Sequence, residues 1–202
     1  MIKKAVAIIA LVMIASLSVA GCTQSSTTSS PSPTPFADKK TDIGNNTTYS
    51  STAGFNITYP KTLKTDSSTN ASLPQRIFVY LAKNNSIDSV SVSTIAAPNM
   101  TLSDFTTYNL NSVNDFPNYK LISNNSTTLG GKPAYTVVWQ AIVPLQMGNS
   151  ASTIKDTTLN SMQTYLVKNN TGYVVSYRAL SSDYNTYLAQ AQQIINSFKL
   201  TS

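Results

Sequence analysis

Histidine and glutamate are missing from this chain of 202 residues, and cysteine occurs once, at position 22. Without histidine there is no Ser-His-Asp or Cys-His nucleophile and no imidazole-held metal. A single cysteine excludes an intrachain disulfide and a Cys-x-x-Cys redox pair. Charge is scarce as well, at 11% of residues, about half the usual share. All eight acids are aspartates, at 38, 42, 66, 88, 104, 115, 156 and 183, and none sits in the Asp-x-Asn-x-Asp run of a calcium loop. Gly130-Gly131 leads into Lys132-Pro133 and a strand pattern, which is not a phosphate cradle. No metal, cofactor or catalytic residue is assigned. The net charge of +6 is spread over lysines that stand singly apart from Lys3-Lys4 and Lys39-Lys40, so nucleic acid is not an expected partner.

What is present begins with an export address. Met1-Ile2-Lys3-Lys4 is a short positive segment, Ala5 to Ala15 is apolar, and Ala20-Gly21-Cys22 closes the run. The apolar stretch is short for a membrane span and has the flanks of a secretion signal. Two small residues before a cysteine resemble the lipobox of prokaryotic lipoproteins. That resemblance implies removal of residues 1–21 and a lipid on the Cys22 thiol, the side chain most readily alkylated. The alternative is an ordinary secretion signal, which leaves the placement of the only cysteine to coincidence. Loss of Lys3 and Lys4 leaves twelve cations against eight aspartates, a net +4.

Residues 22–52 read as a tether. Thr23 to Pro35 is Ser, Thr and Pro at every position but Gln24. Such a run has no apolar surface with which to offset the entropy of ordering. Its prolines favour extended polyproline II. About thirty residues at roughly 3.3 Å each would reach about 100 Å from the lipid. Lys39-Lys40 reads as part of this solvated spacer, with contact to an anionic surface as the other option.

Residues 53–202 read as one folded domain. Period-two runs at Gly54–Tyr59, Ser89–Ala96 and Ala134–Val143 predict strands, and the more continuous apolar run at Arg76–Ala82 suits a central strand; in Ala134–Val143, Tyr135, Val137, Trp139, Ala141 and Val143 share a face. Thr101 and Asp104 have the spacing of a capping box before a helix that ends near Asn114. A short strand is expected at Tyr119–Ser123, then a polar turn at Asn124–Thr128. Asn169-Asn170-Thr171 should join two hairpin strands at about 161–168 and 172–180. Tyr184, Tyr187, Leu188, Ala191, Ile194, Ile195 and Phe198 form one helical stripe, capped by Ser182 or Asp183. The expected class is α+β, an antiparallel β-sheet covered by helices.

Several local patterns in this stretch are similar to the PsbP-like domain family. They are Gly54-Phe55 with Tyr59-Pro60, Leu129-Gly130-Gly131-Lys132-Pro133-Ala134-Tyr135, Tyr173-Val174-Val175-Ser176-Tyr177, and Ile194-Ile195-Asn196-Ser197-Phe198-Lys199. The resemblance covers about residues 53–202 and implies an α/β/α sandwich acting as a non-catalytic binding module. The matching residues are structural; none is chemical. In one departure, Lys61-Thr62-Leu63 follows the first Tyr-Pro, where family members often carry a tryptophan.

Asn-x-Ser/Thr triplets begin at Asn45, Asn46, Asn56, Asn70, Asn84, Asn99, Asn124, Asn125 and Asn169. Chance alone gives roughly five or six in a chain so rich in Asn, Ser and Thr, so nine is a mild excess. They suggest N-glycosylation on an archaeal type of cell surface. Three functions are compatible with these features. The first is a lipid-anchored, extracytoplasmic surface module that binds or assembles an envelope protein complex. The second is a solute- or ion-binding lipoprotein serving an envelope transporter. The third, an envelope enzyme, is disfavoured by the missing histidine, glutamate and second cysteine.

Overall fold

The computed structural model describes residues 39–68, 76–82, 87–146 and 154–201. Two antiparallel sheets arise from them. The smaller holds β1 (Lys39–Ile43), β2 (Asn46–Ser51), β3 (Phe55–Pro60) and β11 (Lys199–Leu200), in the order β1-β2-β3-β11. The larger holds β4 (Lys64–Ser68), β5 (Arg76–Tyr80), β6 (Ser89–Ala96), β7 (Lys120–Leu129), β8 (Lys132–Gln146), β9 (Ile154–Lys168) and β10 (Thr171–Leu180). Its order is β4-β5-β6-β10-β9-β8-β7. Helix α1 (Leu102–Asn111) follows β6, and α2 (Tyr184–Asn196) follows β10.

The period of two decides which side chains go to which core. On β5 and β6, Ile77, Val79, Val90 and Val92 point one way and are fully buried. They join Tyr173, Val175, Tyr177 and Ala179 of β10 beneath Tyr184, Ala191, Ile194 and Ile195 of α2. Phe55 and Ile57 of the smaller sheet close the same cluster. Phe198 just after α2 stacks on Phe55 with centroids 5.8 Å apart. The opposite face of the large sheet offers Val137, Trp139 and Ala141 of β8, Tyr165 of β9 and Val174 of β10 to Phe105 of α1. Phe105 meets Tyr165 edge-on at 6.2 Å, a geometry worth about 1 kcal/mol beyond area burial. The strand faces and the α+β class are as the periodicity predicts.

The turns follow the same chemistry. Gly130 and Gly131 take φ of 57° and 75°, and Asn169 and Asn170 take 50° and 60°, the left-handed values a two-residue hairpin turn demands. At α1, the Thr101 hydroxyl accepts from the Asp104 N–H at 3.1 Å, and the Asp104 carboxylate accepts from the Thr101 N–H at 3.2 Å. The Thr101 hydroxyl and backbone hold the Asp104 carboxyl below its usual range.

Four expectations are corrected. Residues 39–51, assigned to the tether, are strands: Thr47, Tyr49 and Ser51 point inward in alternation, and Gly44 at φ 60° opens the two-residue turn between β1 and β2. A Thr- and Ser-rich strand looks like a linker by composition, yet threonine fits a pleated sheet well. Residues 124–128 are not a turn but the body of β7. That strand is the sheet edge, where Asn, Ser and Thr stay solvated, and its register slips between Leu121 and Ser123. Neither Ser182 nor Asp183 caps α2 through its side chain; the Ser182 hydroxyl donates to the Asp183 carboxylate instead. The one sheet expected is two.

Candidate functional site

Cross-strand register brings Asp42 of β1, Thr47 of β2 and Tyr59 of β3 into a single row, because each is the direct partner of the next. Their side chains therefore share a face. Lys40, two residues from Asp42, lies on it as well, and its ammonium donates to the Thr65 hydroxyl of β4 at 2.9 Å. That bond ties the smaller sheet to the edge of the larger one. Lys61 and Leu63, in the turn from β3 to β4, complete a cleft of about 380 Å³.

The electrostatics are mixed. The Thr47 hydroxyl donates to the Asp42 carboxylate at 2.5 Å, which fixes that carboxylate and leaves it further lone pairs. Tyr59 is only 3% exposed, and its hydroxyl oxygen is buried without a hydrogen-bond partner. Burial raises its pKa; the Thr65 hydroxyl nearby works against that rise, and the Asp42 carboxylate adds to it. The cleft offers two ammonium groups, a carboxylate, a phenol and hydroxyls. The chemistry of that set suits a small polar or zwitterionic guest. A raised phenol is a poor base at neutral pH.

Among the described residues, no three His, Cys, Asp or Glu side chains gather into a metal-holding group. A second cleft of about 430 Å³ lies between the β7–β8 turn at Gly130-Gly131 and the end of α2 at Asn196 and Phe198.

The residues singled out from sequence fall elsewhere. Cys22, Asn70 and Asn84 lie outside the described residues. Asn45, Asn46, Asn99, Asn124, Asn125 and Asn169 are exposed, Asn99 and Asn169 at left-handed φ. Asn56 differs: it is half-buried within β3, and its side-chain oxygen is buried without a partner. The cleft residues Asp42 and Thr47 went unrecognised because they sit in the stretch read as tether. The signal that could have found them is the Gly44-Asn45 turn flanked by alternating residues.

The architecture matches known structures. The solution structure of cyanobacterial PsbP (CyanoP) from Synechocystis aligns over 79% of this chain and 94% of its own, at 14% identity and a TM-score of 0.55. The fold is PsbP-like. The PsbP-like domain here also aligns with LpqN of Mycobacterium tuberculosis, described as involved in cell envelope biogenesis. That match covers 82% of this chain and 91% of the other at 15% identity and a TM-score of 0.47. The yeast Ran-binding protein Mog1p matches over 82% and 96%, with 12% identity and a TM-score of 0.46. No family model and no curated protein matches the sequence.

Proposed function

We propose that this protein is a lipid-anchored cell-surface protein whose PsbP-like domain is a non-catalytic module for binding or assembly. In this reading Cys22 carries the lipid and holds the chain on the extracytoplasmic side of a prokaryotic membrane. The observation that carries the binding role is the cleft itself, where Lys40, Asp42, Lys61 and the hydroxyls of Thr47 and Thr65 gather beside the buried Tyr59. The missing histidine, glutamate and second cysteine support the non-catalytic part of this reading. The resemblance to cyanobacterial PsbP supports the module in its fold; the role of that protein is not transferred.

The cleft also favours a second reading, capture of a small solute for an envelope transporter, because about 380 Å³ is at the lower end of ligand pockets. Thermal-shift screening of the full-length protein against amino acids, sugars and divalent metals separates the two. A single compound that raises Tm in the native protein but not in Tyr59→Phe supports solute capture. Recovery of one envelope protein with the native chain, and not with Lys61→Asp, supports assembly. Failure of both removes the binding role. N-glycosylation is proposed at the exposed Asn45, Asn46, Asn99, Asn124, Asn125 and Asn169. Intact-mass measurement of native protein without hexose-type additions contradicts it.

A further inference from the structure

The outer strands of a sheet leave a row of N–H and C=O groups unpaired, and such an edge is a template for another chain. The described residues form two sheets, with β1 and β11 at the edges of the smaller and β4 and β7 at those of the larger. Three of these edges carry the usual protection of shortness or charge. β11 has two residues; β4 has five, including Lys64 and Asp66; β1 has five, including Lys39, Lys40 and Asp42. β7 differs. It runs for ten residues without a proline, and its only charge is Lys120 at the very start.

Three further observations mark this edge as open. Among the described residues, β8 alone pairs with β7, and every position from Asn124 to Thr128 is exposed. Apolar exposure gathers on the same strand, where Leu121 is 43% and Ile122 49% exposed. The one irregularity lies between Leu121 and Ser123, so Ser123–Leu129 keeps an unbroken register with β8. A bulge at one end bends that end and leaves the rest of the strand able to pair.

We propose that β7 is a self-association edge, on which the β7 of a second copy of this chain pairs antiparallel and joins two large sheets into one. The residues of the strand select this occupant. A two-fold axis at Ser126, the middle of the regular stretch, sets Ser126 opposite itself and Asn125 opposite Thr127 of the second copy. Asn124 then meets Thr128 and Ser123 meets Leu129 of that copy, each pair on one side of the joined sheet. Polar cross-strand pairs of this kind hydrogen-bond, and no like charges meet between Ser123 and Leu129. A charged partner finds nothing to pair with here, whereas a second copy matches without a misfit. The contact is isologous and closes at two chains. One strand pair buries less than the about 1,200 Å² of a standard interface, so the dimer is weak.

This inference goes beyond the binding role above and needs neither the Tyr59 cleft nor the lipid. A sugar on Asn124 or Asn125 would stand at the same edge, so glycosylation there and pairing exclude each other.

The test uses the full-length chain from a host without N-glycosylation, in the Cys22→Ser form, so that an introduced cysteine is the only thiol. Directly opposed strand residues have Cα atoms about 4.5–5.5 Å apart, within disulfide reach. Under mild oxidation, Ser126→Cys should therefore give disulfide-linked dimers about tenfold faster than Ser67→Cys on the β4 edge. Sedimentation of the Cys22→Ser chain should show a mass that rises with concentration from one chain toward two. Adding Asn125→Lys sets two ammonium groups near each other across the axis and should weaken this association about tenfold. Ser67→Lys, the same change of charge on the other edge, should leave it intact. Both positions are exposed, so unchanged Tm shows that each variant folds. Equal cross-linking at 126 and 67, an unchanged equilibrium in Asn125→Lys, or a monomer at every concentration overturns the proposal. A monomer that holds a foreign peptide along β7 overturns it as well.

Discussion

Phe105 occupies the space that a Cβ on Gly172 would need: an ideal Cβ there lies 2.2 Å from two carbons of the ring. The ring can lie flat on β10 only because residue 172 has no side chain, and this contact seats α1 on the sheet. Gly172→Ala therefore forces the ring or the helix outward, at a cost of about 3 kcal/mol, at the high end for overpacking. Calorimetry should show a fall in Tm of about 6–12 °C. Adding Phe105→Leu to Gly172→Ala should return part of it, because the two positions are coupled. Equal Tm in native and Gly172→Ala protein contradicts the packing account.

Much of this fold is legible in the residue pattern. Alternation placed Val137, Trp139 and Ala141 on one face of β8, and the Asn169-Asn170 pair marked the β9–β10 hairpin. The Thr101–Asp104 spacing marked the start of α1. Local rules decide these features. Gly172 was not legible, because a glycine in a strand does not say which ring will lie on it. β2 was hidden because its inward positions, apart from Tyr49, are the polar Thr47 and Ser51. The open edge at β7 emerges only from the strand order, which no local run of residues states.

The assignment of residues 39–51 to the fold is directly testable. Tyr49 is 1% exposed and packs on Phe55 at 6.0 Å. A chain beginning at residue 53 loses that ring and uncovers the edge of β3. It should lose cooperative unfolding, or drop in Tm by 10 °C or more, roughly as for loss of a large buried side chain at about 3–5 kcal/mol. A chain beginning at residue 37 should melt like the full-length protein.

Stability should be flat across neutral pH and fail at high pH. With no histidine or glutamate, no side chain of those types titrates between the aspartate range and the tyrosine range. Burial raises the phenols of Tyr165 and Tyr177 far above their ordinary 10.0, and Asp88 adds to the rise at Tyr177. The Tyr177 hydroxyl donates to the Tyr184 carbonyl at 2.6 Å, so ionisation also removes a donor. A raised folded pKa gives stability that is complete below about pH 10 and is lost as pH climbs through the folded value. Circular-dichroism melts should show constant Tm from about pH 6 to 9, then a steep fall coincident with tyrosinate absorbance. A slope between pH 6 and 9 contradicts this.

The Tyr59 hydroxyl should cost the free protein stability. Tyr59→Phe removes a buried oxygen without a partner and should raise stability by about 1 kcal/mol, or Tm by about 2–4 °C. It should also abolish the response to any cleft ligand. A loss of stability shows instead that the hydroxyl is already satisfied in the free protein.

Anchoring is the claim on which location and role both depend. The measurement is membrane fractionation of the full-length protein and its Cys22→Ser variant, expressed in a lipoprotein-processing prokaryote, with intact mass of each. The native protein should sediment with membranes, resist high-salt and carbonate washing, and weigh the chain from residue 22 plus a lipid. Cys22→Ser should lose that lipid mass and leave the washed membranes. Equal retention of both proteins, or a native mass without lipid, contradicts the account.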